Sequence, residues 1–186
     1  VLLLGASALG SLVLTAPVVA KDLVITSGTD TNGNFGAGDF TGPDTITLNV
    51  DLDTGNIDKE TGIVTSGGSN EIIVLSSGTI TTEGKYAHGI YNLGSHSTTT
   101  VSGSITAAGD SGKGIYNVGD NNTTNMSGSI TTEGKYAHGI LNIGSHSTTT
   151  ISGSITTAGD SGQGIYNLGD NNTTNMSGSI TTAGDS

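Results

Sequence analysis

The sequence predicts an all-β parallel β-helix (a solenoid) in which one 25-residue repeat makes one three-stranded coil. Three observations predict it. Ser-Gly-(Ser/Thr)-Ile recurs at Ser77, Ser102, Ser127, Ser152 and Ser177, a constant spacing of 25 residues. Each repeat holds three short β-type segments, such as 78–82, 89–93 and 98–101, separated by Gly, Ser, Asn and Asp. Positions 25 apart carry compatible side chains, as coils stacked at about 4.8 Å require.

Composition agrees. The chain has 186 residues, of which 31 are Gly, none Cys and none Trp, and aromatics make up only 4%. That is too few large side chains for an ordinary core, so a fold built by repetition is expected. A net charge of −11 excludes a phosphate-tracking surface, hence no nucleic-acid partner. Without Cys there are no disulfides, thiolate zinc sites or Cys nucleophiles. Helical repeats are excluded because no i, i+3, i+4 apolar spacing occurs and each repeat carries several Gly. The L-x-x-L-x-L-x-x-N pattern of leucine-rich repeats is absent.

Residues 1–20 are apolar and end in Val18-Val19-Ala20 before Lys21. They read as a secretory signal peptide, incomplete at its N-terminus and cleaved after Ala20. Gly5, Gly10 and Pro17 argue against a transmembrane anchor. Residues 21–76 lie outside the 25-residue period and read as an N-terminal cap with entry strands. They hold nine of the sixteen acids and two of the five lysines, an acidic cover for an open solenoid end. Ile46, Leu48, Val50 and Leu52 alternate with polar residues as one half-buried strand, and 72–75 form another.

Residues 77–186 are the repeats, truncated at the C-terminus. Alternate units are closer relatives: 83–88 return at 133–138, and 119–126 at 169–176, so the 25-mer sits inside a 50-mer. Ile80, Ile105, Ile130, Ile155 and Ile180 form one apolar column, and Ile90, Ile115, Ile140 and Ile165 a second. Val101, Met126, Ile151 and Met176 form a third. Leu93, Val118, Ile143 and Leu168 are expected as a fourth inward column. Asn92, Asn117, Asn142 and Asn167 are read as a structural ladder at a bend, passing amide hydrogen bonds between coils and interrupting strand alternation. Lys85, Asp110, Lys135 and Asp160 alternate in charge along one column, an expected use for the 50-residue period.

Repeats of the form S-G-S-I-T-T-x-G…G-I-x-N-x-G…T-x-x-(I/V/M)-S-G-S-I resemble the passenger regions of Gram-negative autotransporters (type V secretion). The resemblance covers 77–186, and 1–20 match the expected export signal. It implies a parallel β-helix carried across the outer membrane by a C-terminal β-barrel translocator, then displayed or released. No barrel strands with aromatic girdles are present here, so the chain is read as a fragment of a longer exported protein. The expected role is a non-catalytic stalk or adhesin at the cell surface or outside the cell. Its expected partner is a protein or glycan of a host or neighbouring cell.

Catalytic, cofactor and metal sites are not expected. His88 and His138 fall two coils apart, roughly 9–10 Å, too far to share one ion, as do His96 and His146; all four read as solvated turn residues. Asp120 and Asp170 are separated by Ser145, and Asp110 and Asp160 by Lys135, which leaves no unique carboxylate pair. In the Asp- and Asn-containing stretch 30–39, Phe35 stands where a calcium loop needs Gly, so it reads as a solvated turn. Two outward columns are candidate interaction faces. One is Tyr91, Tyr116, Leu141 and Tyr166, read as an exposed, mostly aromatic stripe and chiefly a stabilising ladder. The other is Thr98, Thr123, Thr148 and Thr173 beside Thr100, Asn125, Thr150 and Asn175. That hydroxyl-rich face supports an alternative, a secreted ice-binding β-solenoid, and a third reading is a polysaccharide-active β-helix enzyme.

Overall fold

The computed structural model describes residues 2–4, 22–25 and 45–185, the first two segments as backbone only. The rest of the expected signal segment 1–20 and the 30–39 stretch lie outside the described residues. Among the described residues every element is a β-strand.

The entry strands are β1 (Leu2–Leu4), β2 (Asp22–Ile25), β3 (Thr45–Leu48), β4 (Asp51–Asp53), β5 (Ile63–Thr65) and β6 (Glu71–Val74). The first full repeat supplies β7 (Thr79–Thr82), β8 (Ile90–Asn92) and β9 (Thr98–Val101). The next gives β10 (Ser104–Ala107), β11 (Ile115–Val118) and β12 (Thr123–Met126), followed by β13 (Ser129–Thr132), β14 (Ile140–Ile143) and β15 (Thr148–Ile151). The last described strands are β16 (Ser154–Thr157), β17 (Ile165–Leu168), β18 (Thr173–Met176) and β19 (Ser179–Thr182). They form three parallel sheets, β1-β2-β3-β6-β9-β12-β15-β18, β4-β7-β10-β13-β16-β19 and β5-β8-β11-β14-β17. The chain is therefore a parallel β-solenoid of about six turns, with about 25 residues in each.

Register is set by the columns. Ile105 lies between Ile80 and Ile130, Ile115 between Ile90 and Ile140, and Met126 between Val101 and Ile151. All nine are buried and share one core with Ile46, Leu48, Leu52, Ile63, Ile72 and Val74. The region 45–76 runs through the same sheets at wider spacing. Leu52 pairs with Ile80, Ile63 with Ile90, and Ile46 with Ile72, offsets of 28, 27 and 26 residues.

Two expectations change here. The single strand over 46–52 is two strands in two sheets, with Asn49-Val50 turning the corner between β3 and β4. A two-residue corner preserves the alternation, so Leu48 and Leu52 both point inward and the sequence shows no break. The fourth inward column is absent: Leu93 is 42% exposed and Leu168 41%, while Val118 and Ile143 are only partly covered. Strand alternation is kept, and the asparagines take the inward places, with Asn92, Asn117 and Asn142 all buried.

Their burial is satisfied by the ladder itself. Asn117 Nδ2 donates to Asn142 Oδ1 at 2.8 Å, and Asn142 Nδ2 to Asn167 Oδ1 at 2.8 Å. Asn92 Nδ2 reaches Asn117 Oδ1 at 3.5 Å. The second amide hydrogen goes across the core to a buried threonine: Asn117 to Thr124 Oγ1 at 3.1 Å and Asn142 to Thr149 Oγ1 at 3.2 Å. An amide in this position uses its two donors fully, so burial costs little.

The Ser-Gly corner has a steric cause. A Cβ on Gly103 would overlap the carbonyl oxygens of Gly78 and Leu75, and Gly128, Gly153 and Gly178 repeat the contact one coil on. Only a residue without Cβ lets the corners stack at strand spacing.

Two substitutions test the columns. Ile105→Ala should lower unfolding free energy by about 2–5 kcal/mol, whereas Ile180→Ala, on a partly buried member of the same column, should cost clearly less. Asn117→Ala should cost about 1–3 kcal/mol, because Asn92 and Asn142 lose a partner inside the core. Denaturant titration of the full chain measures both; equal losses at Ile105 and Ile180 would contradict the stacking.

Candidate functional site

The side chains with chemical potential lie in the turns and on the outer strand faces. In the turns, most are engaged from coil to coil. Asp110 Oδ1 accepts the backbone N–H of Lys135 at 2.9 Å, and Asp58 Oδ1 that of Lys85 at 2.9 Å. Asp120 Oδ1 accepts the Ser145 N–H at 2.7 Å, while Ser95 Oγ and Ser145 Oγ accept those of Asp120 and Asp170. Asn122 Oδ1 takes the Ser97 N–H at 2.9 Å, and Ser147 Oγ takes that of Asn122 at 3.2 Å. These side chains cap amides that the turns leave without a strand partner.

The 50-residue period thus has a cause beyond charge: short and longer acceptors alternate so that each caps an amide of a neighbouring coil. Charge contributes less than the sequence implies. Lys135 Nζ meets Asp160 Oδ2 at 3.2 Å with both side chains more than half exposed, and it is the one ion pair among the described residues. Such a pair is worth about 0–1 kcal/mol.

Histidines join the same scheme. His88 Nδ1 accepts the Lys113 N–H at 3.1 Å, and His138 Nδ1 accepts the Gln163 N–H at 3.1 Å. His88 is buried, which corrects its reading as a solvated residue. Its ring packs edge-on against Tyr91 at 5.4 Å and Tyr116 at 5.2 Å between centroids, and His138 packs likewise on Tyr166 at 5.2 Å. An imidazole that accepts at Nδ1 must be unprotonated there. Burial, and secondarily the Lys113 charge, push His88 down to about 4, and the same causes lower His138. Burial also lowers Lys113 and raises Tyr116, the latter helped by Tyr91. His96 and His146 are exposed and hold left-handed turn positions at φ 60°.

The tyrosine column differs from an open stripe. Tyr91 and Tyr116 stack with centroids 4.8 Å apart and planes 11° from parallel, so each occupies a face of the other. Both rings and Tyr166 are half-buried, and Leu141 between them is buried. The more exposed tyrosines are elsewhere, at Tyr86 and Tyr136 in the turns. Their return after 50 residues was visible in the sequence, but nothing in it distinguished an inward turn position from an outward one.

Thr98, Thr123, Thr148 and Thr173 do lie on one outer face, with Thr100, Asn125, Thr150 and Asn175 beside them. A second hydroxyl face stands on the sheet of β7, β10, β13, β16 and β19. There Thr81, Thr106, Thr131, Thr156 and Thr181 align in register with Thr79, Ser104, Ser129, Ser154 and Ser179. Asn does not interrupt it. Among the described residues no group of three or more His, Cys, Asp and Glu side chains could hold a metal ion. No helix there is long and apolar enough to cross a membrane.

No family model, no curated protein and no solved structure matches the chain.

His88 makes stability pH-dependent. Its folded-state value lies below the usual 6.5, so the unfolded chain takes up the proton first as pH falls. The contribution is complete above pH 6.5 and is lost between 6.5 and about 4, by about 3 kcal/mol at most. Denaturation midpoints measured from pH 7.5 to 4 should fall over that window. His88→Asn, whose amide oxygen accepts without titrating, should fall less; equal curves for both proteins would refute the assignment.

Proposed function

We propose that the chain is the repeat-bearing part of an exported surface protein of the autotransporter-passenger type, a stalk or adhesin that works without catalysis. One observation carries this reading. Asp110, Asp120, His88 and His138 are used to join coils, and the titratable side chains of the turns recur with the repeat instead of meeting at one unique place. What recurs outwardly is shape and a repeated surface. A rod of repeating coils gives reach, and repetition gives many weak contacts at once.

The Ser/Thr face on β7, β10, β13, β16 and β19 favours a second reading, an ice-binding solenoid, because its paired hydroxyl columns are in register and free of charge over five coils. A polysaccharide-active enzyme is less well supported. The acids Asp110 and Asp120 accept backbone N–H bonds from the neighbouring coil and belong to repeating columns, whereas a glycosidase needs one dedicated pair.

Protease shaving and antibody labelling of intact source cells test the first reading: the repeat region should be labelled and cleaved from outside. Retention in the cytosol would overturn it. Thermal hysteresis in the purified chain would replace it with the ice-binding reading.

A further inference from the structure

Tyr86 and Tyr136 occupy an unusual place. Tyr86 is 46% exposed and Tyr136 60%, so neither ring adds much to the core. Both sit in the left-handed region, at φ 59° and 56°, which bulky side chains disfavour. The turn itself does not need an aromatic residue, since Ser111 and Ser161 hold the same conformation at φ 59° and 57° in alternate coils. Backbone bonds tie these turns in series: Tyr86 N to Asp110 O, Ser111 N to Lys135 O and Tyr136 N to Asp160 O. The two tyrosines therefore stand two coils apart, roughly 9.6 Å, with the small Ser111 between them. Strained, exposed and repeated aromatic residues point to binding.

We propose that this turn edge binds an extended, uncharged β-1,4-linked glycan, with Tyr86 and Tyr136 stacking on alternate sugars. This rests on the non-catalytic surface-binding reading above and names its ligand class. A β-1,4-linked pyranose chain is a flat ribbon whose sugars turn over at each linkage. It presents an equivalent apolar C–H face every second residue, over a length close to two coil spacings. Ser111 leaves room for the intervening sugar. Exposed Glu83, Lys85, Asp110, Glu133 and Lys135 line the edge as partners for hydroxyls. The Lys85 ammonium lies over one face of the Tyr86 ring, 5.1 Å from its centroid, which leaves the opposite face for a sugar. A chain of net charge −11 disfavours sulfated or uronic acid polymers, which selects a neutral glycan. Tyr91 and Tyr116 are poorer platforms because they stack on each other.

The test is calorimetric titration of the purified full chain with cello- and chito-oligosaccharides of two to six sugars, with maltohexaose as control. A β-1,4 hexamer should bind, with affinity rising sharply once three sugars allow both rings to be reached. Tyr86→Ser or Tyr136→Ser alone should weaken binding about two- to tenfold, and the double variant by more than tenfold, with unchanged or higher melting temperature. Tyr→Asn variants, also suited to left-handed backbone, serve if a serine variant folds poorly. Absence of binding by both β-1,4 hexamers, equal binding of maltohexaose, or full affinity in the double variant would overturn the proposal. Binding by the purified chain without surface exposure on cells would sink the export reading alone; exposure without binding would sink only this ligand.

Discussion

Coil-to-coil hydrogen bonding at a fixed register is the constraint on which the rest of this molecule depends. It is not confined to the strands. Turn amides such as Tyr86, His96, Ser111 and Asn121 donate to the carbonyl of the next coil, as the strand amides do. With strands and turns both in register, each residue is held directly against its counterparts before and after it. A column then has to succeed as a unit: isoleucines make a core, glycines allow corners to approach, and asparagines relay hydrogen bonds.

This explains how so polar a chain can fold. A layer of aromatic side chains is not required when each aliphatic residue packs on its counterpart in the next coil. The buried polar groups are of kinds that satisfy one another within a column or across the core, as Asn117 does with Asn142 and Thr124. Among the described residues two buried hydroxyls, Thr54 and Thr157, lack a partner, in a column where Ala107 shows that a methyl group suffices.

The fold and its core columns were legible in the sequence because a register error of one residue would have put unlike side chains together. What the sequence obscured were corners and directions. Period-two alternation passes unchanged through a two-residue corner, so β3 and β4 read as one strand. The amide relay through Asn92 was legible from its column, but it was placed at a bend that interrupts the alternation, whereas the amides hold inward places on regular strands. Leu93 looked inward on hydrophobicity, yet its place in the alternation put it outside. His88 resembled a solvated turn residue since the Tyr116 ring and the Lys113 amide, both from the next coil, come against it only when the coils stack. The candidate surfaces were less legible for a related reason: residue type shows what can stack, whereas exposure depends on which way the turn faces.

The alternation of turn residues also governs how such a rod can change length. Within it, Ser caps Asn, His caps Lys, and Ser111 lies between Tyr86 and Tyr136. Gain or loss of a single 25-residue winding would place lysine on lysine and bring both exposed rings onto adjacent levels. Duplication or deletion of a matched pair preserves this alternation of turn residues. Recombination among these near-identical segments would therefore lengthen or shorten the rod without penalty in 50-residue steps, making the pair of windings, not the single one, its heritable module.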